Sequence, residues 1–138
     1  MSKSYRYLLD TNAISDLMKN PQGRTAKHIA QVGEEAVCTS IIVAAELEFG
    51  VQKKGSAKLQ ERLSVILSAI DVLPLEKPAE AKYGDLRYHL EKQGTPIGGN
   101  DLLIAAHALS LGLCVVTQNV REFERVPELS VENWLNMS

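Results

Sequence analysis

The stretch Leu113-Cys114-Val115-Val116-Thr117 decides the fold class. It is a continuous apolar run, rich in β-branched residues and followed by polar positions, which is typical of a strand. A run this apolar favours a central parallel strand covered on both faces, since strands with one solvated face alternate apolar and polar residues. The sequence therefore predicts an α/β fold built around this strand.

Four weaker strand signals lie elsewhere in the chain, and helical patterns separate them. The predicted strands are Tyr5–Leu9, Ala36–Thr39, Asp71–Leu75 and a last short one at Leu129–Val131. Alternation of strands and helices is typical of a mainly parallel sheet of four to five strands flanked by helices. We expect residues 1–138 to form one domain, because 138 residues suit a single core.

Caps and breakers place the helices. The predicted helices are Ala13–Lys19 with Asn12 as its cap, Arg24–Val32, one after Ser40 running past Gly50, Ala57–Ile70, Pro78–Gln93, Leu102–Leu111 from a start near Asn100, and a short turn at Phe123. Helix 57–70 is amphipathic, with leucines and isoleucines at spacings of three and four.

Composition and charge limit the function classes. The net charge of −2 excludes a generally basic nucleic-acid-binding surface, so nucleic acid must be met by a local patch or through a metal ion. Cys38 and Cys114 lie in apolar runs, which favours buried free thiols. No secretory signal or membrane-length apolar run is visible, so we expect a cytoplasmic protein.

Four polar residues fall where parallel strands would bring them together: Asp10, Glu46, Asp101 and Asn119. Each lies near the end of an apolar segment or early in the helix that follows one, and such ends converge on one edge of the sheet. Two unit charges ~4 Å apart repel by roughly 4 kcal/mol at an effective dielectric of about 20. Three carboxylates at one edge therefore suggest a hard divalent cation, and phosphodiester hydrolysis is the chemistry that follows most naturally.

Each of these residues also has a purely structural interpretation. Asp10 can cap a helix, and Asp101 can stabilise the first turn of the next helix through the helix dipole. Glu46, between small apolar neighbours, needs a metal, a base or a hydrogen-bond partner if it is buried. Taken singly, the positions are weak indicators of a metal site.

Their order and context resemble the PIN-domain ribonucleases, and most closely the VapC-type toxins of type II toxin–antitoxin pairs. The matching blocks span nearly the whole chain, from Tyr7 to Trp134. They are Leu9-Asp10-Thr11-Asn12, Glu46-Leu47 with Gly50, Asp101 with Leu103-Ile104-Ala105-Ala106, and Thr117 with Asn119 and Phe123. The resemblance implies a three-layer PIN-like fold.

The resemblance also implies a Mg²⁺- or Mn²⁺-dependent endoribonuclease acting on RNA, with tRNA as the expected substrate. Asp10 and Asp101 would hold the metal, while Glu46 would help bind it or orient the attacking water, and Asn119 would position a water. The supporting residues are Thr11, Asn12, Ser40 and Thr117, and the candidate RNA contacts are Lys53, Lys54 and Arg121.

Two departures from the family pattern leave alternatives open. The fourth polar position, often Asp, is Asn119, and Val43 stands where members often carry Thr or Ser, with Ser40 as a candidate substitute. A catalytically degenerate PIN domain that binds RNA or regulates is therefore the main alternative. A phosphatase with a nucleophilic Asp is disfavoured, since its best-known class needs a second Asp where this chain has Asn12.

Partners follow from the resemblance as well. The family implies a small VapB-like antitoxin whose C-terminal segment lies over the active site and whose N-terminal part binds operator DNA. It further implies a homodimer formed through the helical layer. No membrane partner is expected.

Overall fold

The computed structural model describes residues 4–135, which form an α/β fold of five strands and seven α-helices. The strands are β1 (Tyr7–Leu9), β2 (Val37–Ser40), β3 (Asp71–Leu73), β4 (Cys114–Val116) and β5 (Val131–Glu132). The helices are α1 (Thr11–Lys19), α2 (Arg24–Val32), α3 (Ile41–Lys54), α4 (Ala57–Ala69), α5 (Ala79–Lys92), α6 (Gly99–Leu111) and α7 (Val120–Phe123). The predicted class and element order are confirmed.

The sheet is parallel throughout, in the order β3-β2-β1-β4-β5. All four residues of β2 are buried. Because successive side chains of a strand point to opposite faces, both faces of the sheet must be covered, which gives the expected three layers. None of the helices within residues 4–135 is long and apolar enough to cross a membrane.

The strand order places a switch of direction beside β1. From β1 the chain adds β2 and then β3 on one side, and later adds β4 and β5 on the other. Leu8 pairs with Val115 and Leu9 with Val116 across this switch. Crevices at such switch points, outside the carboxyl ends of the strands, are where open α/β sheets bind ligands.

The core fills the space between the sheet and the helices. Leu8, Leu9 and Val115 are fully buried within it. Trp134 is also buried; it contacts Tyr7 edge to face and stacks on His28, each with ring centroids 5.1 Å apart. The C-terminal segment is thereby packed against β1 and α2.

Element boundaries differ from prediction where local chemistry intervenes. β1 begins at Tyr7 and not at Tyr5, and β3 ends at Leu73, before a proline that has no N–H to donate. The prediction of Asn12 as a helix cap is wrong. α1 begins at Thr11, so Asp10 occupies the cap position, and the Asn12 side chain bonds instead to the loop after β4. Cys38 and Cys114 are free thiols, as expected, with Cys114 only half-buried.

Candidate active site

Asp10 lies at the switch point, directly after β1. Its backbone N–H donates to the carbonyl of Val116 (2.9 Å), which continues the pairing of β1 with β4 by one residue. Its side chain is 2% exposed. The position is set by the sheet itself, so the carboxylate has little freedom to move.

The Thr117 hydroxyl organises the end of β4 around Asp10. It donates to Asp10 Oδ2 (2.8 Å) and accepts from the Asn119 backbone N–H (3.0 Å) and from Asn12 Nδ2 (3.3 Å). The Asn12 Oδ1 atom in turn accepts from the Gln118 N–H (2.8 Å). One buried hydroxyl therefore joins the chain after β1 to the loop after β4.

Glu46 comes from the middle of α3, and both of its carboxylate oxygens are hydrogen-bonded. Oε1 accepts from the Thr11 hydroxyl (3.0 Å) and Oε2 accepts from Asn100 Nδ2 (3.1 Å). Thr11 begins α1 and Asn100 lies in the first turn of α6. Glu46 thus fastens α3 to the two helix starts that carry the other carboxylates.

Asp101 lies in the first turn of α6 and forms a carboxyl–carboxylate pair with Glu122 of α7. Glu122 Oε1 also accepts from the Gly98 N–H (2.8 Å), so that amide is already bonded to protein. The Gly98 donor stabilises the charge on Glu122, while Asp101 is the more deeply buried of the two. We therefore assign the shared proton to Asp101.

Burial and mutual repulsion raise the pKa values of two of the carboxyl groups. Burial raises the pKa of Asp10, with the charge of Glu46 adding to the effect, while hydrogen bonds from Thr11 and Thr117 oppose it. The pKa of Asp101 is raised to about 7. Burial is the largest cause, and the pair with Glu122 and the charges of Asp10 and Glu46 add to it. The charge of Glu46 therefore disfavours the ionisation of both Asp10 and Asp101.

This donor set suits a divalent cation. The three carboxylates supply only hard oxygen donors, which Mg²⁺ and Mn²⁺ prefer. A cation among them would offset the charges of Asp10 and Glu46, which add to burial and to the Glu122 pair in raising the pKa of Asp101. Within residues 4–135, however, no three acidic, His or Cys residues stand ready as a metal cluster. Asp10 and Glu46 each accept hydrogen bonds from side chains, and Asp101 is paired with Glu122. To hold a cation, Asp101 would have to lose the proton that it shares with Glu122.

The side chains open onto one cleft of about 560 Å³, which we call the catalytic cleft. Its lining includes six of the residues predicted from the sequence: Asp10, Thr11, Asn12, Glu46, Asp101 and Asn119. Thr117 is buried behind Asp10. The four predicted catalytic residues, distant in sequence, are therefore brought together by the fold.

Four other predicted residues lie outside this lining. Ser40 caps α3 through a hydrogen bond from the Ile42 N–H, and its hydroxyl is also 2.9 Å from His107 Nδ1. Its hydrogen bonds therefore do not reach the carboxylates. Lys54 lines a groove next to the cleft. Lys53 and Arg121 are exposed and do not line the cleft.

The structure adds site residues that sequence reasoning missed. Ser15, Asp16 and Lys19 line the cleft from α1, while Glu122 bonds to Asp101 and Asn100 bonds to Glu46. A signal for the first group exists, since Asn12, Ser15, Asp16 and Lys19 follow the helical spacing i, i+3, i+4, i+7 and so share one face. Glu122 carried no such signal, because its contact with Asp101 depends on how α7 packs.

Comparison with known proteins identifies the family. The PIN-domain family model matches residues 7–129. The chain belongs to the PIN-domain family. The matched span contains all four predicted catalytic residues and the whole catalytic cleft except Leu135.

The relatives of this PIN domain carry ribonuclease names. It is 38% identical over 130 residues to Ribonuclease VapC2 of Rickettsia felis, covering 93% of this chain and 97% of the relative. It is 36% identical over 135 residues to the tRNA(fMet)-specific endonuclease VapC of Salmonella typhimurium, covering 94% and 98% of the two chains. The likeness extends over essentially the full length of both relatives.

A solved structure shares the architecture. The crystal structure of VapBC2 from Rickettsia felis, bound to a DNA fragment from its promoter, superposes on this PIN domain with a TM-score of 0.85. The sequence identity is 34%, and the alignment covers 93% of this chain and 98% of the other. The PIN-like three-layer fold expected from the sequence is confirmed.

Proposed function

We propose that this PIN domain is a VapC-type toxin that cuts RNA as a divalent-metal-dependent endoribonuclease. The observation that carries the proposal is the convergence of Asp10, Glu46 and Asp101 on one cleft. Burial, with the charge of Glu46 adding to it, raises the pKa values of Asp10 and Asp101, and a bound cation would offset that cost. The names of the relatives supply the substrate class, RNA.

The chain's own residues have separable roles in this reaction. Asp10 and Asp101 would hold the ion, which would lower the pKa of water and offset charge on the phosphate. Glu46, fixed by Thr11 and Asn100, orients the attacking water. Asn119 lines the cleft, and its side-chain amide holds a water there. Its backbone N–H donates to the Thr117 hydroxyl and so fixes that side chain.

The substrate and partners are proposed from the relatives. A tRNA is the proposed substrate, since one relative is named a tRNA(fMet)-specific endonuclease. A VapB-like antitoxin and operator DNA are the proposed partners, because the similar solved structure is a VapBC complex bound to promoter DNA. We further propose a single PIN domain over residues 1–138, a homodimer and a cytoplasmic location.

Incubation of the purified protein with total tRNA tests the activity. We expect cleavage with Mg²⁺ or Mn²⁺, none with EDTA, and none for Asp10→Asn under any condition. Sequencing of the new RNA ends then gives the bond that is cut. If the wild type binds tRNA but leaves it intact with either metal, the degenerate PIN domain becomes the better interpretation.

A further inference from the structure

A narrow apolar groove adjoins the catalytic cleft, between α1, α3 and α4. Its volume is about 160 Å³. We call it the side groove, and its apolar wall consists of Met18, Leu47, Val51 and Leu59. Sites for drug-sized ligands measure about 300–1,000 Å³, so the side groove suits a single small ring system rather than a large ligand.

The side groove and the catalytic cleft are continuous. Thr11, Ser15, Lys19 and Glu46 line both of them. Glu46 is one of the three catalytic carboxylates, so an occupant of the side groove lies directly beside the group that is cut. A nucleotide next to the reacting phosphate is the part of an RNA that reaches this position.

Gly50 keeps the side groove open. It lies inside α3 and lines the groove, and a Cβ added there would meet no atom within 4 Å. Its φ angle is not in the left-handed region, so the backbone does not require glycine. A glycine inside a helix lowers stability relative to alanine. Neither the conformation nor the packing of the described residues requires glycine here, and the missing side chain leaves room for a ligand in the side groove.

Two lysines give the side groove the charge that a nucleotide needs. Lys19 stands where the side groove meets the catalytic cleft, and Lys54 lies on the groove's own lining. Both side chains are exposed. Proteins bind single-stranded nucleic acid with a surface on which a base packs and with positive charges near the phosphates. The side groove has both.

We propose that the side groove binds the nucleobase of the nucleotide adjoining the bond that is cut, and that this contact selects the cleavage position. The proposal rests on the proposed ribonuclease function and deepens it. The base packs on the wall formed by Met18, Leu47, Val51 and Leu59, beneath the position of Gly50. Lys19 and Lys54 hold the phosphates on either side of it.

Filling the side groove tests the proposal. Gly50→Leu places a side chain into the space beside Gly50, and Gly50→Ala is the smaller step. Gly84→Leu is the matched control, since Gly84 is also a helical glycine with no atom within 4 Å of an added Cβ, and it lies on α5 away from the groove. Melting curves for all three variants establish that they fold.

The substrate is varied in the same experiment. An oligoribonucleotide spanning the mapped cleavage bond is made intact and with the base removed at each flanking position in turn. We expect removal of one flanking base to lower kcat/KM of the wild type by roughly 10- to 100-fold, in line with the usual worth of a stacked base. Gly50→Leu should show a similar loss on intact RNA and no further loss on the abasic one, while Gly84→Leu behaves as wild type.

The outcomes separate the two proposals. Suppose that the wild type cuts RNA. The base subsite is refuted, and the ribonuclease function stands, if the loss of kcat/KM from Gly50→Leu and the loss from base removal multiply when combined. The same holds if Gly50→Leu cuts at the wild-type rate and position. If Gly50→Leu cuts normally but no longer binds an antitoxin peptide, the groove is a protein site. If the wild type cuts no RNA, the ribonuclease function fails. Fluorescence anisotropy with a labelled oligoribonucleotide then tests the base subsite separately, because unchanged binding by Gly50→Leu refutes it.

Discussion

At the scale of single residues, the Thr117 hydroxyl limits how far the Asp10 carboxylate, a proposed metal ligand, can move. It holds Asp10 at 2.8 Å and is itself held by Asn119 and Asn12. Asp10 cannot swing away from Glu46 to relieve the repulsion between them. The charge of Glu46 therefore adds to burial in raising the pKa of Asp10.

Replacing either buried acid by its amide should separate activity from stability. Asp10→Asn and Asp101→Asn should each lower RNA cleavage by more than roughly 100-fold, since even changes around metal ligands cost ~10- to 100-fold. Thermal melting in EDTA should show both variants at least as stable as the wild type, because a source of repulsion is lost. A clear drop in melting temperature for both in EDTA would contradict the electrostatic argument.

Lys19 should contribute to RNA binding through its charge. It lines the catalytic cleft, the side groove and a third hollow of about 720 Å³ beyond Asp16. Lys19→Ala should raise KM more than it lowers kcat. It should also reduce the slope of log affinity against log salt by about 0.7, the value for one phosphate contact on a single strand.

Lys53→Ala is the control for this measurement. Lys53 is exposed but lines none of the three hollows, although the sequence suggested it as an RNA contact. Equal changes of slope for the two variants would assign RNA binding to general surface charge instead of to the cleft.

At the scale of helices and strands, α3 carries both the proposed catalytic acid Glu46 and a destabilising glycine, Gly50. Glu46 lies one turn before Gly50, so the helix that presents the carboxylate contains its own least favourable residue. Gly50→Ala should stabilise the metal-free protein by about 0.5–1 kcal/mol, because the added methyl meets no atom and the unfolded chain loses freedom. Urea unfolding measures it, and a destabilised variant would show that the groove is tighter than described.

Local signals predicted most of the elements, and contacts between elements account for the errors. Continuous apolar runs placed β2 and β4, and Gly33 ended α2 where expected. β5 was predicted at Leu129–Val131 but pairs at Val131–Glu132, because its register is set by β4 rather than by its own residues. Asn12 looks like a helix cap in isolation, yet its partners come from the loop after β4.

The same division holds for the catalytic cleft. Asp10, Glu46, Asp101 and Asn119 could be predicted because each follows a recognisable strand or helix signal. Glu122 could not, since only the packing of α7 against the start of α6 brings it to Asp101. Lys19 carried a spacing signal on α1, whose meaning depends on Asp10 lying at the near end of that helix.

At the scale of the whole molecule, folding should depend on pH through Asp101 when no metal is present. The fold raises the pKa of Asp101 from an ordinary value near ~3.9 to about 7. The folded protein therefore holds a proton that the unfolded chain has lost, so Asp101 lowers stability progressively as pH rises from ~4 to above 7. His107 acts oppositely, since burial lowers its pKa and its contribution is lost below pH ~6.5.

Comparing variants isolates the Asp101 contribution from that of His107. In EDTA, Asp101→Asn should have a higher free energy of unfolding than the wild type, and the difference should be larger at pH 8 than at pH 5. Glu122→Gln should show the same trend to a smaller extent, because burial is the larger cause of the raised pKa of Asp101 and the Glu122 pair adds to it. Differences that are equal at the two pH values would remove Asp101 as the source.

The strand order has a consequence for how the protein comes into being. β4 lies beside β1 at the middle of the sheet, yet it is made after α6, late in the chain. Asp10 acquires its Thr117 partner only when that late segment inserts. The acidic side chains of the catalytic cleft therefore come together only after most of the chain has been synthesised.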